Sequence, residues 1–153
     1  MVKKLILLFL SWRIILFAPV ITAQLFIKYR SGYSYTSINH FLSNPQDLIT
    51  NLLISTWSNF DGVYYLLIGA NGYTVNAGFF PLFPLLINIL SSVFGETRAF
   101  SQTQYFLALM IITICLVLSL IVFYKLVKLD YKDNIAIFSI VFMLLFPTSF
   151  FFA

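Results

Sequence analysis

The sequence predicts an all-α integral membrane protein, and three observations lead to that fold class. Of the 153 residues, 61% are hydrophobic and only 9% are charged, whereas soluble globular domains are about 25% charged. Long apolar runs follow one another along the chain with lysines near their ends. The 18 Phe and 9 Tyr residues suit lipid-facing and interfacial positions. A net charge of +4 carried at the ends of apolar runs fits membrane topology better than nucleic-acid binding.

The first predicted transmembrane span covers residues 5–27, with cationic residues on both sides. At about 1.5 Å per residue this run is long enough to cross a ~30 Å hydrocarbon core. A cleaved signal peptide is the alternative, because residues 21–23 resemble a cleavage site. Trp12 and Arg13 interrupt the run, which is also longer than signal peptides use. A membrane anchor is therefore expected.

Residues 106–124 and 135–153 are the second and third predicted spans. A shorter apolar run at residues 79–94 contains Pro81 and Pro84 and leaves about ten helix-competent positions, too few to cross a bilayer. The chain is apolar to its last residue, so we expect it to be the N-terminal part of a longer membrane protein or the product of a truncated reading frame.

The distribution of cations decides whether residues 79–94 cross the membrane. If they cross, three cations lie inside and five outside. If they only dip into the bilayer or lie along its surface, five lie inside, namely Lys3, Lys4, Lys125, Lys128 and Lys132. The second topology is favoured. It gives one membrane domain over residues 1–153, about three spans, and one external loop at residues 28–105 with interfacial or re-entrant helices.

An amphipathic stripe within this loop predicts an interfacial helix. Its members recur mostly at spacings of three and four, and they are Leu48, Leu52, Leu53, Trp57, Phe60, Tyr64, Leu67 and Ile68.

Asp61 is the sequence's main candidate for chemistry. On a continuous helix it lies about 40° from Trp57 and about 60° from Tyr64, at the edge of the stripe and facing the membrane boundary. A carboxylate in such a partly dry site can act as a general base on a hydroxyl group. Asp61 is equally well placed to cap a helix over residues 62–69, and the two roles are compatible. There is no Gly-rich phosphate loop, His/Cys cluster or Asp-x-Asp metal motif, so neither a cofactor nor a metal is expected.

Three short motifs follow in order: FDGVYY at residues 60–65, IGANGY at 68–73 and FFPLFP at 79–84, with PTSFFF later at 147–152. With these motifs the chain resembles the PIG-V family of GPI mannosyltransferases and its prokaryotic relatives, which are membrane-embedded GT-C glycosyltransferases. The relatives carry aromatic-Asp-Gly-x-x-aromatic, Ile-Ala-x-x-Gly-Tyr and Phe-Phe-Pro-x-Phe-Pro stretches.

This chain departs from the family pattern at three positions. The Trp that often precedes the acid is Phe60, the common His two residues after the Gly is Tyr64, and the Ala after Ile is Gly69.

The resemblance implies a partial GT-C fold and an inverting transfer of mannose, or a similar sugar, from a polyprenyl-phosphate donor on the non-cytoplasmic side. It gives Asp61 the role of base. Since the donor phosphate is already a leaving group, one base suffices instead of the carboxylate pair of glycosidases. The implied partners are membrane lipids and the lipid-linked sugar donor, with no nucleic acid, and further transmembrane helices in the same chain or a partner subunit. The implied location is the plasma membrane of a prokaryote or the endoplasmic reticulum of a eukaryote.

The candidate substrate-binding residues are Trp57, Tyr64, Tyr65, Tyr73, Phe80 and Arg98. Each has a purely structural alternative, because aromatic residues also pack against lipid or neighbouring helices and Arg98 can be a solvated charge. The alternative function is a non-catalytic, truncated membrane protein or accessory subunit. A transporter fragment is disfavoured, because Arg13 is the only charged residue well inside a span.

Overall fold

A computed structural model of the chain describes residues 2–26, 57, 61–73, 78–96 and 98–146. Within these residues all regular secondary structure is helical, with Trp57 in a 3-10 conformation and five α-helices, which confirms the all-helical part of the predicted fold class. The helices are α1 (Val2–Phe26), α2 (Asp61–Asn71), α3 (Leu82–Val93), α4 (Gln102–Asp130) and α5 (Asp133–Leu145).

Two of these helices have the length and composition needed to cross a membrane. They are Val2–Ala23 within α1 and Gln102–Val127 within α4. The two helices contain nearly all of the first predicted run and all of the second. Each helix extends beyond its run, because a helix ends where its hydrogen bonds end and not where its hydropathy falls.

The third predicted span, residues 135–153, is not one continuous helix. Helix α5 has 13 residues and ends at Leu145, and Phe146 has the extended dihedral angles φ −64° and ψ 135°. Pro147 follows in the sequence, and a residue before proline is disfavoured in the α region because of the proline ring. Residues 147–153, which include the PTSFFF motif, lie outside the described part of the chain.

Helix α3 begins between the two prolines of the apolar run, Pro81 and Pro84. It has 12 residues and starts at Leu82, so Pro84 is its third residue. The first amides of a helix have no intrahelical acceptor, so a proline in the first turn removes no hydrogen bond. The amide of Leu85 then closes the first turn on the carbonyl of Pro81 at 3.0 Å.

The C-terminus of α3 is a Schellman motif, which sharply reverses the chain. The amide of Glu96 donates to the carbonyl of Ser91 at 2.9 Å, and the amide of Gly95 donates to that of Ser92 at 3.0 Å. Gly95 has a φ of +71°, a conformation that glycine adopts without steric cost.

The chain divides into two compact units. The first unit combines Met1–Thr22 with Ile111–Ala153, and the second unit is Ala23–Met110. In the first unit the buried residues of α1 and α5 recur at spacings of three and four, which leaves the other faces of these helices exposed. They are Leu5, Phe9, Trp12 and Leu16 in α1 and Ala136, Ile140 and Leu144 in α5. In α4, Leu120 and Tyr124 are buried one turn apart, and Ile111 is buried on the opposite side of the helix.

Candidate functional site in the second unit

Helix α2 begins at Asp61, and the side chain of Asp61 is exposed. A carboxylate in the first turn of a helix interacts favourably with the positive end of the helix dipole. Residues 58–60 lie outside the described part of the chain. The hydrogen bonds of a cap at Asp61 therefore stay a prediction, whereas the start of a helix at this position is a feature of the structure.

The predicted amphipathic stripe describes the buried face of α2 only in part. The structure buries Val63, Leu66, Ile68 and Gly69. Of these, Ile68 belongs to the stripe, whose other members in α2, Tyr64 and Leu67, are only half-buried. Residues 63–69 are apolar on every side of the helix, so the packing of neighbouring segments selects the buried face, not a local pattern. Most other members of the stripe precede Asp61 and lie outside the described residues.

An aromatic cluster covers the N-terminal half of α2, and it consists of Tyr64, Tyr65, Phe79 and Phe83. The ring of Tyr64 stacks on that of Phe79 with centroids 5.4 Å apart. Tyr65 presents its ring edge-on to Phe79 at 5.0 Å and to Phe83 at 5.2 Å. The hydroxyl of Tyr73 donates to the carbonyl of Phe79 at 2.8 Å. Residues from all three sequence motifs therefore meet in this part of the second unit.

Helices α2 and α3 approach each other closely at Gly69. A Cβ atom at this position would lie 3.0 Å from Cγ2 of Ile87 and 3.4 Å from the carbonyl oxygen of Pro84. The Asn88 side chain donates from Nδ2 to the Gly69 carbonyl at 2.7 Å. The glycine at position 69 thus has a physical reason, because a methyl group would press against a neighbouring helix.

The contacts between α2 and α3 show which ends of the two helices meet. Tyr65 contacts Phe83, and Gly69 contacts Ile87, so residue numbers rise in the same direction along both. Asp61 precedes Tyr65 by one helical turn and projects from the same side of α2. The carboxylate therefore lies at the end of the helix pair where the aromatic cluster lies.

A buried amide fixes α2 to the start of α4. Gln104 is only 1% exposed, and its Nε2 donates to the carbonyl of Leu66 at 2.9 Å. Its Oε1 accepts a hydrogen bond from the amide of Phe100 at 2.8 Å. Phe100 has a φ of +63°, which is uncommon for a residue other than glycine. The Gln104 side chain therefore connects a strained turn to the middle of α2.

Asn88 and Gln104 are not among the site residues predicted from the sequence. Gln104 is a buried amide side chain near the start of α4, where an unsatisfied amide is costly, and Asn88 is a polar side chain within the apolar helix α3. A polar amide among apolar neighbours in the sequence is the signal that could have identified these two residues, although it does not predict which groups they bond.

The other predicted substrate-binding residues lie apart from the aromatic cluster or have only partly described surroundings. The ring of Phe80 is 77% exposed. Arg98 follows the C-terminus of α3, opposite the Phe79 end, with an exposed side chain and an amide that donates to Oε1 of Glu96 at 3.2 Å. Trp57 is half-buried, and its sequence neighbours on both sides are not described.

The second unit thus has an exposed carboxylate, Asp61, at the same end of the helix pair as the aromatic cluster. Aromatic faces bind sugar rings and isoprenoid chains through apolar contact, and an accessible carboxylate can take a proton from a hydroxyl group. Across the described ranges, no group of three His, Cys, Asp or Glu side chains is arranged to hold a metal ion.

Comparisons with known proteins add no family assignment. No protein-family model, no curated protein and no solved structure matches the chain. The fold and the site define an all-helical protein, within its described residues, that has two helices able to cross a membrane by length and composition.

Proposed function

We propose that this chain belongs to a membrane-embedded GT-C glycosyltransferase. The enzyme moves mannose or a similar hexose from a polyprenyl-phosphate donor to an acceptor hydroxyl on the non-cytoplasmic side. The observation that carries the proposal is the meeting of three motifs around α2. Tyr64 and Tyr65 of the first motif and Tyr73 of the second all contact Phe79 of the third. The motifs lie only two and five residues apart in the sequence, and the support for a shared site is that all three contribute side chains or backbone to one cluster.

The exposed faces of the first unit support insertion into a bilayer. Large apolar side chains point outward from each of its helices, including Ile14 at 70% exposure, Val122 at 64% and Phe142 at 73%. Monomeric soluble proteins rarely expose continuous apolar faces of this kind. Contact with lipid hydrocarbon would remove these side chains from water.

The arrangement of the first unit also supports the topology with five lysines inside. Lys4, at the start of α1, lines the same recess as Tyr124 and Asp133. Nζ of Lys128, near the end of α4, lies 3.0 Å from Oδ1 of Asp133. The start of α1 and the end of α4 therefore share one end of the unit. In the proposed orientation this end faces the cytoplasm, and the count of cations in the sequence puts the loop at residues 28–105 outside.

Asp61 acts as the general base in the proposed reaction. Its carboxylate accepts the proton of the acceptor hydroxyl, and the oxygen of that group attacks the anomeric carbon of the donor sugar. The bond from the anomeric carbon to the phosphate oxygen breaks, and the lipid phosphate leaves with the electron pair. Attack from the opposite face inverts the anomeric configuration. Because Asp61 is exposed, it then returns its proton to water.

The test is sugar transfer by membranes that contain the full chain with Asp61→Asn, with Glu96→Gln as a matched control. Glu96 is a carboxylate of the same unit at the far end of α3. The assay follows labelled mannose from a synthetic polyprenyl-phosphate donor into an acceptor. Loss of the base should lower the rate roughly 10²–10⁴-fold, and Asp61→Glu should retain part of it. Glu96→Gln should transfer at the wild-type rate.

One observation favours a second candidate, a non-catalytic accessory protein of the membrane. Tyr64 replaces the histidine common in the family, and its ring is held in a stack with Phe79, which is a packing role. This candidate would be supported if membranes that contain the folded wild-type chain transfer no sugar. Equal transfer by wild type and Asp61→Asn would remove the proposed role of Asp61.

A further inference from the structure

We propose that one end of the first unit binds the headgroups of anionic phospholipids. This end, here called the lysine end, consists of Lys3, Lys4, Lys125, Lys128 and Lys132. All five side chains are exposed. The inference rests on the membrane insertion proposed above, but it does not depend on sugar transfer.

The ends of three helices bring the five lysines of the lysine end together. Lys4, Tyr124 and Asp133 line one recess of about 210 Å³, and Lys128 forms an ion pair with Asp133. Helix α1 starts here, α4 ends here and α5 starts here. The other three lysines lie within about one helical turn of these positions in the sequence, so they belong to the same end.

The acidic side chains at this end do not cancel its charge. Asp130 and Asp133 are its carboxylates, which gives a net charge of +3 with the five lysines. Asp133 accepts hydrogen bonds from Tyr124 and Lys128, so its charge is already compensated locally. Lys4 also faces Asp133 across the shared recess, but the five lysines still outnumber the two carboxylates.

Apolar side chains between the lysines indicate the kind of partner. Leu126 is 59% exposed, Leu129 is 78% exposed and Tyr131 is 57% exposed. A nucleic acid or an acidic protein surface would leave these side chains in water. A bilayer offers hydrocarbon for the leucines, an interface for the tyrosine and anionic headgroups for the ammonium groups. An anionic membrane surface fits both features at once.

Spin-label electron paramagnetic resonance tests this inference. The full chain is reconstituted into phosphatidylcholine bilayers with a trace of spin-labelled phosphatidylglycerol or spin-labelled phosphatidylcholine. The spectra then give the association of each lipid with the protein boundary. Each lysine near an anionic surface contributes up to about fivefold in affinity. We expect wild type to prefer phosphatidylglycerol by about threefold or more, an average over strong and weak boundary positions.

The variant with Lys3→Gln, Lys4→Gln, Lys125→Gln and Lys132→Gln should bind the two lipids almost equally, whereas Arg98→Gln should keep the preference. In 1 M salt, where the screening length is about 3 Å, the wild-type preference should also disappear. Since the substituted lysines are exposed, the variant is expected to fold, and the salt titration provides a second measurement on unaltered protein.

Several results would overturn the inference. Equal association of both lipids with wild type is one, and a preference that survives both the substitutions and high salt is another. Asp61→Asn should keep the preference, so loss of sugar transfer in that variant leaves this inference intact. A chain that restricts no lipid at all is not inserted, which would overturn both proposals.

Discussion

Replacing Gln104 by methionine should loosen α2 without disturbing the first unit. Methionine has a similar length but no hydrogen-bonding amide, so the substitution removes two contacts and little volume. These contacts are the bond from Nε2 to the carbonyl of Leu66 and the bond that Oε1 accepts from Phe100. The matched control is Gln102→Met, because Gln102 is exposed on the same helix.

The expected magnitude follows from burial and from the number of bonds lost. Each intramolecular hydrogen bond contributes about 1 kcal/mol net, and a buried group that loses its partner costs about 1–3 kcal/mol. The amide of Phe100 loses its acceptor, whereas the carbonyl of Leu66 also faces the amide of Ala70 in the helix. We therefore expect Gln104→Met to cost about 2–3 kcal/mol. The exposed control should change stability by no more than about 0.5 kcal/mol.

Hydrogen–deuterium exchange in detergent micelles or nanodiscs measures this effect locally. If α2 opens independently, exchange of its amides should accelerate roughly 30- to 150-fold in Gln104→Met. Peptides from α1 and α5 should exchange at wild-type rates. Unchanged exchange in α2, or the same acceleration in Gln102→Met, would refute the conclusion that Gln104 holds the helix.

Two further predictions concern packing and pH. Gly69→Ala should lower the free energy of unfolding of the second unit by about 1 kcal/mol in a denaturant titration. Overpacking against the fully buried Ile87 costs about 1–3 kcal/mol, and the higher helix propensity of alanine offsets about 1 kcal/mol of that cost. Ile87→Leu removes the Cγ2 methyl and should reduce that penalty, while a more stable Gly69→Ala protein would contradict the close approach. Hydrogen bonds from Tyr124 and Lys128 hold the pKa of the Asp133 carboxyl below its usual range. Its contribution to stability is therefore complete above about pH 4 and is lost as the pH falls through the lowered value. The difference in unfolding midpoint between wild type and Asp133→Asn should be constant above about pH 5 and shrink below about pH 4; a difference that grows on acidification would contradict the assigned sign.

The long helices are predictable from the sequence because length and composition alone define them. Residues 106–124 form an apolar run long enough to cross a bilayer, and α4 contains all of it. The ends of α4 were harder to predict from the sequence, since the helix continues through polar residues such as Lys125 and Lys128. The C-terminus of α5 could have been anticipated, because Pro147 restricts the residue before it.

The candidate site was only partly predictable. The motifs point to Asp61 and the aromatic residues near it, and the expected helix after Asp61 is present. The buried face of α2 was not predictable, because its apolar residues surround the helix and no periodicity distinguishes one side. The contact between Gln104 and Leu66 spans 38 positions. No local pattern specifies such a distant partner.

The hydrogen bonds and the ion pair of Asp133 bear on how α5 reaches its position during synthesis. With 13 residues, α5 is too short to cross a bilayer as an independent segment. Only two residues separate it from the strongly apolar α4, and Asp133 bonds back to Tyr124 and Lys128. If the chain inserts into a membrane as proposed above, we expect the translocon to release α4 and α5 together, so that the longer helix inserts the shorter one with it.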